Sequence, residues 1–484
     1  MNKSSAEFKR ELGLFDSSML VIGSMIGSGI FIVSADIART VGSGGLLLLV
    51  WFLTGVITLI GALSYGELAG MMPKAGGQYV YLRQAYNPLV GFLYGWTLFA
   101  VIQTGTIAAV AVAFAKFTSL LIPWFGGDNI VIAFAGLKIS GAQILAIISV
   151  FVLTYINILG VREGKTVQNI FTVAKIISLA ALILLGIFLG ANSGVIALNF
   201  TDIWNGSWIH LADGKVSWVE SLSGFTLVAA IGAAMVGSLF SSDAWNNITF
   251  TAGEVKNPKR NIPLSLAIGT GTVTVIYLIA NISYLLVLPL AGSPAGTSAE
   301  QLGMQFAADD RIGTAVASVI FGEPAALIMA VLIMISTFGC NNGLILAGAR
   351  VYYSMAKDNL FFATAGKLSK RSVPAAALLF QAVWASLLCL SGTYGQLLDY
   401  VIFAVLIFYI LTISGIFILR KKLPEAERPY KAFGYPTLPA LYILMAASIS
   451  VILLIYKPMY TWPGLGIVLL GIPVYFLWQK KVKG

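Results

Sequence analysis

Long stretches without any charged residue constrain the fold of this chain more than any other feature. Twelve stretches of 18 or more residues lack Asp, Glu, Lys and Arg. They cover residues 17–35, 40–66, 84–115, 139–161, 176–201, 221–242, 261–299, 324–349, 372–398, 400–419, 432–456 and 458–479. A helix needs about 20 mostly apolar residues to cross ~30 Å of hydrocarbon. The sequence therefore predicts an all-α integral membrane protein with twelve transmembrane helices.

The distribution of basic residues predicts the orientation of these helices, because cytoplasmic loops retain Lys and Arg. If the N-terminus lies inside, 22 of the 30 Lys and Arg residues fall in inner segments and 5 in outer loops. Both termini are therefore expected in the cytoplasm, with the chain embedded in the cell membrane. The net charge of +10 is then a topology signal, and no nucleic-acid partner is expected.

The first and sixth predicted helices contain similar segments. Residues 22–31 read IGSMIGSGIF, and residues 231–240 read IGAAMVGSLF. Helices 1 and 6 run in opposite directions, so the five-helix unit that each begins is repeated upside down. We expect one transporter domain over residues 1–484, with helices 1–5 (about 16–191) as the first repeat. Helices 6–10 (about 221–419) form the inverted repeat, and helices 11 and 12 (about 432–480) are peripheral.

Small and polar residues interrupt both similar segments. Glycines in Gly27-Ser28-Gly29 tolerate the backbone angles of a helix break. The amides that open the second half-helix favour a carboxylate. In helix 6, carbonyls freed at Ser241-Ser242-Asp243 suit an ammonium group. Small residues in membrane helices often serve close packing instead, but matching breaks in inverted halves favour a substrate site for a small zwitterion such as an amino acid.

Two charged residues lie inside predicted spans. Lys175 is ten residues beyond Lys165, about 15 Å along a helix, and ionisable groups at that depth are functional candidates. We expect Lys175 to tether helices 1 and 8 or to carry a proton. Asp243 contacts the substrate ammonium or caps the second half of helix 6, and its N-cap chemistry slightly favours the cap.

Three further charges are expected to have ordinary roles. Glu67 at the inner end of helix 2 is expected to form loop contacts. Arg350 is expected to reach the cytoplasmic headgroups, and Lys116 the outer ones, because long basic side chains extend towards the interface.

Several motifs taken together resemble one known family. They are GSGIF (27–31), SYGELAGMMPKAGGQYVYL (64–82), GVREGKTVQNIFTVAK (160–175), FSSDAWNNITFTAGEVKNPKRNIPLSLAI (240–268) and STFGCNNG (336–343). This combination resembles the L-type amino acid transporters, within the amino acid–polyamine–organocation superfamily. The resemblance implies a LeuT-like five-plus-five inverted repeat with discontinuous helices 1 and 6. It also implies sodium-independent amino acid transport, usually by exchange.

The resemblance also assigns roles to individual residues. Phe240 matches the aromatic gate, Lys175 fills the place of sodium in sodium-coupled relatives, and helix 6 carbonyls near Phe240 take the ammonium. The helix 1 residues that bind the substrate backbone are Ile26, Gly27, Ser28, Gly29 and Ile30. The absence of an acidic cluster favours neutral substrates. Proton-coupled symport through Lys175 is the alternative mechanism.

Animal members of this family carry an outer-loop cysteine for a heavy subunit. The two cysteines of this chain, Cys340 and Cys389, both lie inside predicted spans. We therefore expect no disulfide-linked heavy subunit, and the expected partners are the amino acid substrate and the lipid bilayer.

Other function classes fit poorly. TVGSG (40–44) is superficially similar to a potassium filter but occurs once and has no preceding pore helix. The only histidine, His210, lies in the outer loop 202–220, and no metal-ligand cluster or Ser/His pair is present in a span. No phosphate-binding loop is present. We expect no cofactor and no catalysis.

Overall fold

The computed structural model describes residues 8–134, 137–212, 215–322, 324–391 and 394–483, which form nineteen α-helices and two β-hairpins. The helices are α1 (Leu14–Met25), α2 (Ser34–Val41), α3 (Gly44–Met71), α4 (Gln78–Ala85), α5 (Pro88–Thr97), α6 (Gln103–Thr118), α7 (Gly141–Leu159), α8 (Val161–Leu185), α9 (Ser193–Phe200), α10 (Gly224–Ser241), α11 (Asn247–Phe250), α12 (Pro258–Val287), α13 (Ala299–Leu302), α14 (Ile312–Phe321), α15 (Ala325–Lys357), α16 (Ala375–Ser391), α17 (Tyr394–Lys422), α18 (Thr437–Tyr456) and α19 (Pro458–Lys483). The strands are β1 (Ile130–Phe134), β2 (Leu137–Ser140), β3 (Ser207–Ala212) and β4 (Lys215–Ser221).

Ten helices in the described part of the chain are long and apolar enough to cross a membrane. One of them, Pro88–Thr118, joins α5 and α6 through a π-helical turn. Every one of the twelve predicted stretches overlaps a helix, but two fall short by length. The first is split between α1 and α2, and the ninth contains α16, which has 17 residues. The chain is a multi-pass membrane protein.

Burial separates inner from outer helices. We compared the most apolar 18 residues of each helix. Of these residues, 72% are buried in Pro88–Thr118 and 67% in α15, but only 28% in α18. Large apolar side chains such as Ile177 (64% exposed) cover the outer surface, as lipid contact requires. The helix α8, with 33% buried, places Lys175 on its inner face while its other side carries such residues.

Two short antiparallel hairpins were not expected from the sequence. Strand β1 pairs with β2, and β3 pairs with β4. Both lie in segments between spans, where charged and polar residues interrupt the uncharged stretches. A search for charge-free helices does not detect strands of four to seven residues.

The expectation that Glu67 makes ordinary loop contacts is wrong. Its side chain is 1% exposed, and its two carboxylate oxygens accept hydrogen bonds from Arg420 at 2.9 and 2.7 Å. Arg428 lies 3.3 Å away, and the Ala432 amide donates a further bond at 2.7 Å. Glu67 therefore ties α3 to α17 and to the loop that follows α17.

The expectation that Arg350 reaches the headgroups is also wrong. Arg350 and Glu254 are each 1% exposed, and Arg350 Nη2 lies 2.9 Å from Glu254 Oε1. The pair connects α15 to the 3-10 turn that follows α11. Glu254 becomes buried because the turn that carries it packs against α15. The positions of charges along the sequence do not show this contact.

Replacing Arg350 with methionine should destabilise the fold by about 3–5 kcal/mol, because Glu254 is left as an uncompensated buried charge. The measurement is the midpoint of thermal unfolding of the detergent-purified protein. Lys259→Met is the matched control: it breaks an ion pair with Glu427 whose side chains are 50% and 73% exposed, which is worth about 0–1 kcal/mol. An equal shift in both variants would contradict a special role for the buried pair.

Candidate functional site

The first break lies between α1 and α2. The helix α1 ends at Met25, and Ile26 has extended backbone angles (φ −76°, ψ 98°). A 3-10 turn follows at Gly29–Phe31 before α2 begins. Within the described residues, the amides of Gly27, Gly29 and Ile30 donate no hydrogen bond. These free N–H groups suit an anion.

The second break follows α10. The helix ends at Ser241, and α11 begins only at Asn247. Ala244, between them, has a left-handed φ of 65°. Among the described residues, the carbonyls of Ser242 and Asp243 accept no hydrogen bond. This end of α10 therefore offers acceptors for a cation.

The two breaks face each other across a small cavity. A Cβ built on Gly29 would overlap Ser241 Oγ and would lie 2.8 Å from Ser241 Cβ, so only glycine permits this approach. The cavity measures about 20 Å³, room for about one water molecule, so the site is closed in this conformation. It is lined by Ser24, Met25, Gly27, Ser28, Gly29, Thr106, Val110, Phe240, Ser241, Asp243, Ala244 and Cys340.

Most of the residues expected at the site meet in this cavity, and three do not line it. Ile26 and Ile30 are fully buried in the apolar core and are not part of the cavity lining. Ser242 lines an adjoining cavity with Asp243 and Tyr409.

The preference for Asp243 as a helix cap is wrong. The residue at the N-cap of α11 is Asn246. Asp243 Oδ1 instead accepts a hydrogen bond from Tyr409 Oη at 2.6 Å. The same side chain lines the central cavity and the two cavities next to it. Asp243 therefore belongs to the wall of the site.

Lys175 reaches the first break from α8. It is 1% exposed, and its Nζ donates hydrogen bonds to the carbonyls of Gly23 and Ile26, each at 2.7 Å, and to that of Ser336 at 3.2 Å. Ser336 Oγ donates to the Gly27 carbonyl at 3.0 Å. These contacts join α8, which carries Lys175, to the end of α1 and to α15. The helices 1 and 8 that the sequence analysis expected Lys175 to tether correspond to α1 and α15.

The sequence reasoning missed two tyrosines at the site. Tyr277 Oη on α12 lies 3.1 Å from the carbonyl oxygens of Met25 and Ser241, and thus connects the two breaks. Tyr409 on α17 holds Asp243. Both lie in uncharged stretches among many aromatic residues, where nothing in the sequence marks them.

Comparison with known proteins gives consistent results. A family model described as amino acid permease matches residues 12–474. The mouse large neutral amino acids transporter small subunit 2 is 30% identical over 98% of this chain and 82% of its own length. The human b(0,+)-type amino acid transporter 1 is 30% identical over 99% of this chain and 91% of its own length.

These matches confirm the resemblance to L-type amino acid transporters and to their superfamily. They cover nearly the whole chain, including both breaks and Lys175. The relatives are membrane transporters and not enzymes, which agrees with the expectation of no catalysis. The chain belongs to the amino acid permease family.

Proposed function

We propose that this protein carries neutral L-amino acids across the cell membrane by exchange, without sodium. The observation that carries the proposal is the meeting of two helix breaks with opposite polarity around one closed cavity. One break presents the free amides of Gly27 and Gly29 to this cavity, and the other presents the free carbonyl of Asp243. An α-amino acid carries a carboxylate and an ammonium group on one carbon, which matches this pair.

In the bound state, the substrate carboxylate accepts hydrogen bonds from the first break and the ammonium donates to the second. The Asp243 carboxylate adds negative charge on the ammonium side, held in place by Tyr409. Phe240 lines the cavity and is the gate over the substrate. Because the cavity is closed, substrate enters and leaves only when α1, α2 and α10 move, as alternating access requires.

Sodium independence is supported by Lys175. The ammonium already satisfies the three carbonyls that a bound cation would need, at 2.7, 2.7 and 3.2 Å. A sodium ion at this place would have to displace a buried positive charge.

The finer architecture belongs to the same proposal. The breaks after α1 and α10 occupy equivalent places in two five-helix repeats (about 16–191 and 221–419) of a single domain over residues 1–484. This arrangement is the LeuT-like fold with twelve spans, and the low burial of α18 supports peripheral helices at about 432–480. Both termini lie in the cytoplasm.

We further propose that the chain works without a disulfide-linked heavy subunit. Cys340 and Cys389 are both buried, so neither presents a thiol at the surface. Cys340 Sγ donates a hydrogen bond to the Ser24 carbonyl at 3.0 Å, which gives it a packing role beside the first break.

Proton-coupled symport is the second candidate. It is favoured by one observation: the Lys175 ammonium contacts only carbonyl oxygens, and no carboxylate of the described residues lies within 4 Å of it. Lys175 is the proton carrier in this mechanism.

The deciding experiment is uptake of radiolabelled amino acids into proteoliposomes in sodium-free buffer. We expect uptake only when the vesicles are preloaded with unlabelled amino acid. Uptake into empty vesicles that rises with an inward proton gradient would replace exchange by symport. Uptake that requires sodium, or no uptake of any amino acid, would contradict the proposal.

A further inference from the structure

A second small cavity, which we call the side cavity, adjoins the central one next to α11. Thr106, Asp243 and Ala244 line both cavities, so the two share a wall. The cavity beside Ser242 shares only Asp243 with the central one. The side cavity measures about 20 Å³ and is also closed in this conformation. It is therefore the space nearest to the side chain of an amino acid held between the two breaks.

Asn247 lines the side cavity with a side-chain amide that has no partner. The residue is 1% exposed, and its main-chain amide donates to the Ala244 carbonyl at 3.2 Å, which places it one turn beyond the second break. Among the described residues, its Nδ2 donates no hydrogen bond and its Oδ1 accepts none. Buried polar groups are nearly always paired, so an unpaired amide beside a ligand site points to a ligand group as its partner.

Two more side chains of the side cavity have unused hydrogen-bonding capacity. Tyr94 on α5 is 2% exposed, and its Oη has no partner within the described part of the chain. Gln103 on α6 donates from Nε2 to the Leu344 carbonyl at 2.8 Å, but no described residue donates to its Oε1. The cavity thus offers donors from Asn247 and Tyr94 and acceptors from Asn247 and Gln103.

The other polar side chains around this cavity are already paired. Asn246 donates to Gln78 Oε1 at 3.0 Å, and Gln78 donates from Nε2 to Thr412 Oγ1 at 3.0 Å. Asp243 accepts from Tyr409 at 2.6 Å. The unused donors and acceptors are therefore specific to the three residues described above and not a general property of the cavity wall.

We infer that the preferred substrates are neutral amino acids with a carboxamide side chain, asparagine or glutamine, and that this carboxamide pairs with the one of Asn247. The inference rests on the proposed transport of amino acids and names the substrate class of the same site. A carboxamide carries N–H donors and a carbonyl acceptor. It can exchange two N–H···O bonds with Asn247 and still accept from Tyr94 Oη and donate to Gln103 Oε1.

Other side chains match these groups less completely. An apolar side chain leaves all the unused donors and acceptors of the side cavity unpaired. A carboxylate can only accept, and an ammonium can only donate. Because buried polar groups left unpaired by a ligand reject it strongly, this site discriminates by hydrogen bonding more than by volume.

The test compares amino acids of similar shape, glutamine with methionine and asparagine with leucine, as inhibitors of exchange. The labelled substrate is whichever of the twenty amino acids the preloaded proteoliposomes exchange fastest. In the wild-type protein, at least one carboxamide should inhibit at a concentration about tenfold or more below that of its apolar counterpart. Asn247→Leu keeps the volume and should reduce this preference to less than about threefold by weakening the carboxamide. Tyr94→Phe removes one hydroxyl and should reduce the preference by a smaller factor, which keeps the test available if Asn247→Leu does not insert.

The matched control is Asn341→Leu. Asn341 on α15 is also buried, with an Oδ1 that has no partner among the described residues, but it does not line the side cavity. This variant should keep the wild-type preference. Exchange by the wild-type protein without preference for either carboxamide, equal weakening of both members of a pair in Asn247→Leu, or the same loss of preference in Asn341→Leu would each overturn the inference. Absence of exchange of any amino acid by the wild-type protein would instead overturn the proposed function.

Discussion

Replacing Lys175 with methionine should slow amino acid exchange by about 100-fold while the protein still inserts in the membrane. Methionine fills a similar volume but cannot donate, so the Gly23 carbonyl loses the lysine donor and the Ile26 carbonyl retains only Ser336 Oγ, at 3.3 Å. Each buried acceptor left unsatisfied costs about 1–3 kcal/mol. A 100-fold loss corresponds to ~2.7 kcal/mol, which lies within the range for one such acceptor.

The measurement is the initial rate of exchange in preloaded proteoliposomes, normalised to the amount of inserted protein. Lys165→Met is the matched control, because Lys165 also lies on α8 and contacts the start of α1. Its Nζ lies 3.0 Å from the Asp16 carboxylate and 2.9 Å from the Glu11 carbonyl. That contact lies more than two helical turns from the break, and we expect a loss of only a few fold. Normal exchange in Lys175→Met would refute the tether.

The same variant separates exchange from proton coupling. If Lys175 is a fixed tether, the remaining activity of Lys175→Met should be reduced equally at every pH. If Lys175 carries the proton, the variant should lose the response to a proton gradient and retain exchange between substrates on the two sides. The two outcomes are distinguishable in one set of vesicles.

Much of this fold was accessible from the sequence, because the bilayer imposes a simple rule on composition. Uncharged stretches locate the helices. The segment 22–31 contains the first break, whereas its copy at 231–240 lies within α10 and the second break follows at Ser242. The register along the chain was less accurate. The uncharged stretch 176–201 covers only the last part of α8, which begins at Val161, although Lys175 was assigned to this helix from its spacing to Lys165.

Contacts between distant segments could not be predicted in this way. Glu67 pairs with Arg420, which is 353 residues away in the sequence, and Arg350 pairs with Glu254, which is 96 residues away. Each residue alone looks like a loop or interface charge. Only the folded chain shows that the partner is buried with it, and the same holds for Tyr277, whose hydroxyl reaches both breaks.

Glycine at position 29 is the second residue with a large expected effect. Gly29→Ala should reduce exchange by at least about tenfold, because the new Cβ overlaps Ser241 Oγ and lies 2.8 Å from Ser241 Cβ and 3.1 Å from its Cα. Inserting a methyl group into a closely packed site costs about 1–3 kcal/mol. The strain is confined to the contact between the two breaks. We therefore expect the transport rate to fall while the amount of protein inserted in the membrane stays the same.

Two further variants make this prediction specific. Gly27→Ala adds the same methyl group two residues away, where the nearest atom is Cys340 Sγ at 3.3 Å, and it should cost much less activity. In the double variant Gly29→Ala/Ser241→Gly the colliding Oγ and Cβ are removed, and exchange should partly recover. Recovery would show that close approach of the two breaks is what position 29 requires. Equal losses in Gly27→Ala and Gly29→Ala, with no recovery in the double variant, would instead mean that any added side chain in this segment is harmful.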